Sequence, residues 1–167
     1  MSRRISRDDP RAAHMSSDRV VDRQELAAFV ADKHRWVLAT TRRDGRPQLS
    51  LVTGGMTASG ELAISSYPSR AKTINAARNR AVSVLVMGSA FNDEWVQIDG
   101  DARVLHMPDP GAADGLVEYF RSISGEHPDW DEYRQAMADQ GKSVILVEPT
   151  RWGPISKGGF PPSLFED

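Results

Sequence analysis

The chain has 167 residues, of which 40% are apolar and 26% are charged, as is ordinary for a single globular domain. It contains no cysteine, which excludes disulfide bonds, thiolate zinc sites, iron–sulfur clusters and a cysteine nucleophile. The formal net charge of -2 argues against a general nucleic-acid-binding protein. No apolar run approaches the roughly 20 residues of a membrane helix. The composition therefore predicts neither a nucleic acid nor a membrane as partner.

Residues 1–21 are rich in arginine and other polar side chains. No apolar segment follows the basic start, so the sequence does not predict a secretory signal, and Asp8 and Asp9 argue against a transit peptide. We expect a disordered or loosely attached arm here, in a cytoplasmic protein. A domain is expected over residues 22–156, followed by a tail over residues 157–167.

The first half of the domain reads as one helix followed by a β-meander. Asp22 and Glu25 resemble a capping box and predict a helix over residues 23–33. Short apolar or alternating runs, separated by Asp-Gly and Ser-Gly turn signals, then predict three antiparallel strands. These strands are Trp36–Thr41, Gln48–Thr53 and Glu61–Ser65, and Gly54 and Gly55 are assigned to the turn before the third.

The second half alternates between helices and strands. Pro68 and Ser69 are predicted to open a helix that runs to about Asn79. Two strands follow, and Gly100 at the centre of the second indicates a bulge or a bend. The later elements are strands over Ala81–Met87, Trp95–Leu105, Ser143–Glu148 and Arg151–Ser156, and helices that start at Asp109 and after Pro128.

This order of elements differs from the strict alternation of a doubly wound parallel sheet. After the first helix come three strands, then a helix, two strands, two helices and the last strands. The pattern predicts an α+β, mainly β, fold: a closed or split β-barrel of about six to seven antiparallel strands with peripheral helices.

The sequence shows no recognisable set of catalytic side chains. None of the histidines (His14, His34, His106 and His127) pairs with another at metal-ligand spacing. There is no nucleophile elbow, Walker loop or dinucleotide-binding glycine motif. We therefore predict neither a catalytic protein side chain nor a metal site.

One helix start is unusual because it carries two cations. If Ser69 is the N-cap, then Arg70, Lys72 and Thr73 lie in the first turn. A helix N-terminus already has partial positive charge, so each cation there costs about 0.3–1 kcal/mol. A bound anion would reverse that cost, and backbone N–H groups, hydroxyls and cations together suit a phosphate. The alternative is that both side chains simply point into water.

Small polar side chains on the meander suggest a second part of the same site. Thr40, Gln48 and Ser50 can line one side of the strands beside Ser65 and Ser66. Hydroxyls and an amide beside an anion site suit a flat heteroaromatic ligand. From spacing alone, an ordinary half-exposed sheet face is about as good an explanation.

Several segments of the chain resemble those of a known protein family. Residues 37–50, with Asp44-Gly45-Arg46-Pro47, and the later motif Ser69-Arg70-Ala71-Lys72-Thr73 with Asn75 are similar to pyridoxamine 5'-phosphate oxidase-like split β-barrel flavoproteins. The segment Tyr119–Met137 is similar to the branch that uses the deazaflavin coenzyme F420. The resemblance covers roughly residues 25–156.

The resemblance implies a flavin-reductase-like homodimer with two cofactor sites at its interface. By matching positions, Arg70, Lys72 and Thr73 hold the cofactor phosphate, and Ser65 and Ser66 lie near it. Gln48 and Ser50 lie beside the ring system. Trp95 and Val96 approach from the partner subunit.

The function we expect is that of an F420-dependent oxidoreductase, which transfers hydride from the reduced deazaflavin to an unsaturated small-molecule substrate. An FMN-dependent oxidase or reductase of the same fold is the second hypothesis. The third is a non-catalytic protein that binds flavin, deazaflavin or a tetrapyrrole.

Overall fold

The computed structural model describes residues 4–165. The described chain forms a β-barrel with helices around it. The strands are β1 (Ser17–Arg19), β2 (Arg35–Thr41), β3 (Pro47–Met56), β4 (Leu62–Ser66), β5 (Ala81–Met87), β6 (Trp95–His106), β7 (Ser143–Trp152) and β8 (Ile155–Lys157). The helices are α1 (Arg23–Val30), α2 (Ala71–Arg78), α3 (Pro110–Ser124) and α4 (Trp130–Asp139).

Six strands close the barrel. The hydrogen-bonded order is β1-β8-β6-β5-β2-β3-β4-β7, and β6 also pairs with β7, which joins the two ends of the six-stranded set. Strands β1 and β8 extend the sheet beyond the barrel, and the pairings are antiparallel. The predicted α+β split-barrel fold is confirmed. Closure removes the free sheet edges that would otherwise be exposed to other chains.

Alternation along each strand decides which side chains fill the barrel. Trp36 and Leu38 of β2 point inward with Val84 and Val86 of β5, and all four are at most 1% exposed. Directly paired residues share a face of the sheet, so Val96, which pairs with Val86, also lies inside. Helices α3 and α4 pack a second apolar cluster around Leu116 on the outside of β4 and β7.

Two glycines placed in a turn by the sequence lie inside β3. A Cβ at Gly54 would overlap the indole ring of Trp36, and one at Gly55 would overlap the side chain of Ser122 on α3. The turn assignment was wrong, because these glycines make room for bulky neighbours on each side of the strand. The capping box of α1 is confirmed, since Asp22 accepts from the Glu25 N–H at 2.9 Å, but the helix ends at Val30, earlier than predicted.

The bulge predicted at Gly100 is confirmed. The register between β6 and β7 shifts between Asp99 and Gly100. A Cβ at Gly100 would overlap the backbone carbonyl oxygen of Glu148, which cannot move without breaking the pairing of β7. The bulge therefore requires glycine for space.

We expect Gly100→Ala to lower the free energy of unfolding by about 1–3 kcal/mol, the usual cost of overpacking. Urea denaturation followed by circular dichroism measures the change. Gly153→Ala is the matched control, because a Cβ there would meet nothing within 4 Å. Equal stability of the two variants would contradict this account of the bulge.

The N-terminal arm is paired with the C-terminal tail where the structure describes it, which differs from the expected loose attachment. Strand β1 pairs with β8 from Ser17 opposite Lys157 to Arg19 opposite Ile155. Further out, Met15 bridges to Phe160, and Ile5 bridges to Phe165, which is only 2% exposed. Each segment is too short and polar to signal a strand alone, and each supplies the other's hydrogen bonds. Residues 1–3 and 166–167 lie outside the described residues.

Candidate functional site

The start of α2 leaves backbone donors free. The helix begins at Ala71 with Arg70 as its N-cap, and no side chain caps it. Ser69 is therefore not the N-cap, and that prediction was wrong, because Arg70 N–H closes a turn onto Tyr67 O at 3.2 Å and delays the helix. Within residues 4–165, the N–H groups of Ala71 and Lys72 have no hydrogen-bond acceptor. Two donors thus point away from the helix at its electropositive end.

Arg70 and Lys72 add two cations at this position. In the part of the chain that the structure describes, neither side chain forms an ion pair, whereas other arginines pair with carboxylates. Lys72 is half-buried, and its burial, together with the nearby charge of Arg70, lowers the pKa of its ammonium group from the ordinary value. The folded chain therefore disfavours this charge, and a bound anion would compensate it.

Thr73 and Ser66 lie together at the junction of β4 and α2. The Thr73 hydroxyl donates to Ser66 Oγ at 2.8 Å, and the two residues are 1% and 5% exposed. These predicted phosphate contacts face the protein interior, where they fix the helix against the strand. Ser65, the next residue on β4, is half-buried and pairs with Val144.

Gln48 and Ser50 belong to a hydrogen-bond network that connects β3 to α2. Gln48 Nε2 donates to Ser50 Oγ at 2.8 Å, and Gln48 Oε1 accepts from Thr40 Oγ1 at 3.1 Å. Thr40 Oγ1 also accepts from Asn75 Nδ2 at 3.2 Å, and Asn75 Oδ1 accepts from Arg78 at 2.9 Å. We call these five residues the Arg78 network. Its predicted members Thr40, Gln48 and Ser50 are thus brought together.

Trp95 and Val96 are separated from that network. The side chain of Val96 is fully buried in the barrel core and cannot reach a ligand without displacing the core. Trp95 is 39% exposed and points to the opposite face of the sheet from Gln48 and Ser50. Within one copy, neither residue joins the predicted site.

The face of the barrel that carries Trp95 is apolar and open. We call it the outer face, and its members on four neighbouring strands are Val37, Ala39, Leu49, Leu51, Leu85, Met87 and Trp95. Leu49 and Leu51 are 64% and 82% exposed, which is unusual for leucine on a central strand. Beside Trp95 the surface forms a cavity of about 570 Å³, bordered by Arg35, Leu85 and Phe91. Exposed apolar patches of this kind mark interaction surfaces.

Over residues 4–165, no group of three or more histidine, aspartate or glutamate side chains could hold a metal ion. Over that same range, no helix has both the length and the apolar character needed to cross a bilayer.

Two members of the network were missed by sequence reasoning. Asn75 belongs to a family-like motif but has no predicted role, and no prediction concerns Arg78. A signal existed for Asn75, because it lies next to Ala76 on the face of α2 that packs on the barrel, where polar residues need a partner. No pattern in the sequence pointed to Arg78, whose contacts are set by the position of the helix.

A closed six-stranded antiparallel barrel with peripheral helices defines a split-barrel fold. Residues 22–156 match the pyridoxamine 5'-phosphate oxidase family. The chain therefore belongs to this family, and the family resemblance is confirmed.

Solved structures share the fold at low sequence identity. The conserved hypothetical protein Rv2991 from Mycobacterium tuberculosis is 22% identical with a TM-score of 0.68, over 83% of this chain and 87% of that one. A protein described as an F420 reductase is 24% identical with a TM-score of 0.54, over 75% and 94%. The heme storage protein HutZ from Vibrio cholerae is 17% identical with a TM-score of 0.60, over 82% and 95%.

Proposed function

We propose that this chain is an F420-dependent oxidoreductase that works as a homodimer. The observation that carries the proposal is the start of α2, where, within residues 4–165, two cations without ion pairs meet two backbone N–H groups without acceptors. These donors fit the phosphate of a deazaflavin coenzyme, through charge-assisted hydrogen bonds from Lys72 and Arg70. The phosphate would neutralise the charge that burial disfavours on Lys72.

The ring of the coenzyme would lie beside Gln48 and Ser50, which α2 connects to the phosphate end. When bound and reduced, the deazaflavin supplies a hydride from its C5 carbon to a conjugated, unsaturated substrate. The protein's part is to fix the position of the ring by holding its anionic end, which needs no catalytic side chain. This matches the lack of a catalytic constellation in the sequence.

The dimer is part of the proposal because Trp95, which the family resemblance assigns to the site, lies apart from Gln48 and Ser50 within one copy. The outer face exposes leucines that a second copy would cover, and an isologous contact would carry Trp95 of each copy toward its partner. The similarity to an F420 reductase supports the choice of coenzyme over FMN. The similarity to a heme storage protein makes heme the competing ligand for a non-catalytic role.

Titration of the purified protein with oxidised coenzyme F420, FMN and heme tests the ligand. We expect micromolar or tighter binding of the deazaflavin, at least tenfold tighter than FMN, and reoxidation of its reduced form by an α,β-unsaturated ketone. Tighter binding of FMN would move the assignment to the flavin hypothesis. Binding of heme alone, without hydride transfer, would replace the enzyme by a carrier.

A further inference from the structure

The hydrogen bonds of the Arg78 network run in one direction. A guanidinium group can only donate, so the atom of Asn75 that lies 2.9 Å from Arg78 must be the carbonyl oxygen. The Asn75 amide nitrogen therefore faces Thr40 and donates to its hydroxyl oxygen at 3.2 Å. The Thr40 hydroxyl keeps its own proton for an acceptor on Gln48, where Oε1 lies at 3.1 Å and the backbone carbonyl oxygen lies at 3.5 Å.

The orientation of the Gln48 amide has a second, independent cause. Gln48 Nε2 donates to the backbone carbonyl oxygen of Leu49 at 2.9 Å, which only a nitrogen can do. Both constraints place Oε1 toward Thr40 and Nε2 toward Ser50. Asn75 is 7% exposed and Thr40 is 2% exposed, so water does not compete for these bonds.

Ser50 is the end of this sequence of donors. Its Oγ accepts from Gln48 Nε2 at 2.8 Å, so its hydroxyl proton must point elsewhere. Among the described residues the Ser50 hydroxyl has no acceptor, and the side chain is half-buried on the same face of the sheet as Leu38. The Ser50 hydroxyl must therefore donate its hydrogen bond to a group other than Gln48, because the amide nitrogen that faces it cannot accept one.

We propose that Ser50 donates to an acceptor atom on the ring of the bound ligand, a carbonyl oxygen or an unprotonated ring nitrogen, and that Thr40 and Asn75 are positioning residues for this donor. The inference rests on the proposed function and specifies which edge of the ring faces β3. Lys72 and Asn75 lie three positions apart on α2, which makes them neighbours on the helix surface. One short helix would therefore hold the anion and orient the ring donor together.

A double-mutant cycle tests the assignment, with oxidised coenzyme F420 and FMN as probes. We expect Ser50→Ala to weaken binding of the ring compound about fivefold, the factor for one hydrogen bond of about 1 kcal/mol. Thr40→Val should weaken it by a similar factor, but by less than twofold in the Ser50→Ala background. Thr40→Ser keeps the hydroxyl and should restore wild-type affinity.

A second readout uses the protein without ligand. The side-chain amide resonances of Gln48 in nitrogen-15 spectra should shift in Thr40→Val and return in Thr40→Ser, because the serine hydroxyl restores the hydrogen bond to Gln48 Oε1. Additive effects in the cycle, or unchanged resonances in Thr40→Val, would overturn the positioning role. If the wild-type protein binds a ring compound and Ser50→Ala binds it equally well, the donor assignment alone fails. If the wild-type protein binds neither compound, the proposed function fails and this inference with it.

Discussion

Replacing Lys72 by methionine is expected to weaken binding of coenzyme F420 by about 10- to 100-fold, the range for a charge-assisted hydrogen bond of about 1.5–3 kcal/mol. Methionine keeps the length and the apolar stem of the side chain but removes the charge. Fluorescence titration of Lys72→Met against the wild-type protein measures the loss.

The same variant is expected to fold at least as stably as the wild-type protein. The lowered pKa of Lys72 means that its charged form is less favourable in the folded protein than in the unfolded chain, so its removal costs no stability at neutral pH. Thermal unfolding of both proteins checks this sign. A variant that loses affinity for the coenzyme without losing stability identifies Lys72 as a binding residue.

Arg23→Ala is the matched control for the Lys72 variant. It also removes one cation, but Arg23 pairs with Glu148 at 3.0 Å and lies beside Gly60, at the opposite end of β4 from α2. Both partners are about half exposed, so the pair contributes at most about 1 kcal/mol. Equal loss of binding in both variants would indicate a general charge effect and remove Lys72 from the site.

Leu51→Glu is expected to convert the proposed homodimer into a monomer. Leu51 is 82% exposed, so the glutamate is solvated in a single copy and the fold is kept. In an isologous interface through the outer face, the substitution would bury a charge twice, each at a cost of several kcal/mol. Light scattering coupled to size-exclusion chromatography should show twice the monomer mass for the wild-type protein and the monomer mass for the variant.

The matched control for this prediction is Val20→Glu. Val20 is 87% exposed but lies between β1 and α1, outside the outer face, so this variant should stay dimeric. We also expect Leu51→Glu to lose affinity for coenzyme F420, since it would lose Trp95 of the partner. A monomeric wild-type protein, or a dimeric Leu51→Glu, would contradict the assigned interface.

The sequence predicted an element correctly where the interactions that form it join residues close together in the chain. Asp22 and Glu25 cap α1 through contacts within one turn. Gly54 and Gly55 were misplaced because the groups that demand their small size, Trp36 and Ser122, come from other elements. No window of sequence around these glycines contains that information.

The sequence likewise predicted some features of the candidate site and missed others. The cations of α2 stand out in the sequence because a helix start disfavours them, whatever the fold. The N-cap at Arg70 was missed, because the turn from Tyr67 to Arg70 delays the helix by one residue. Trp95 and Val96 are neighbours in sequence, yet strand alternation points one to the outer face and the other into the core.

The sequence by itself determined that this is a barrel-forming chain with a charged helix start, because strand periodicity and helix electrostatics act over a few residues. The tertiary structure alone decided that Arg78, Asn75 and Thr40 join Gln48 in one hydrogen-bond network, that the leucines of β3 lie on an exposed outer face, and that the arm pairs with the tail. Those features depend on barrel closure, which brings together residues far apart in the chain, and hydrogen-bond direction and burial exist only once those partners have met.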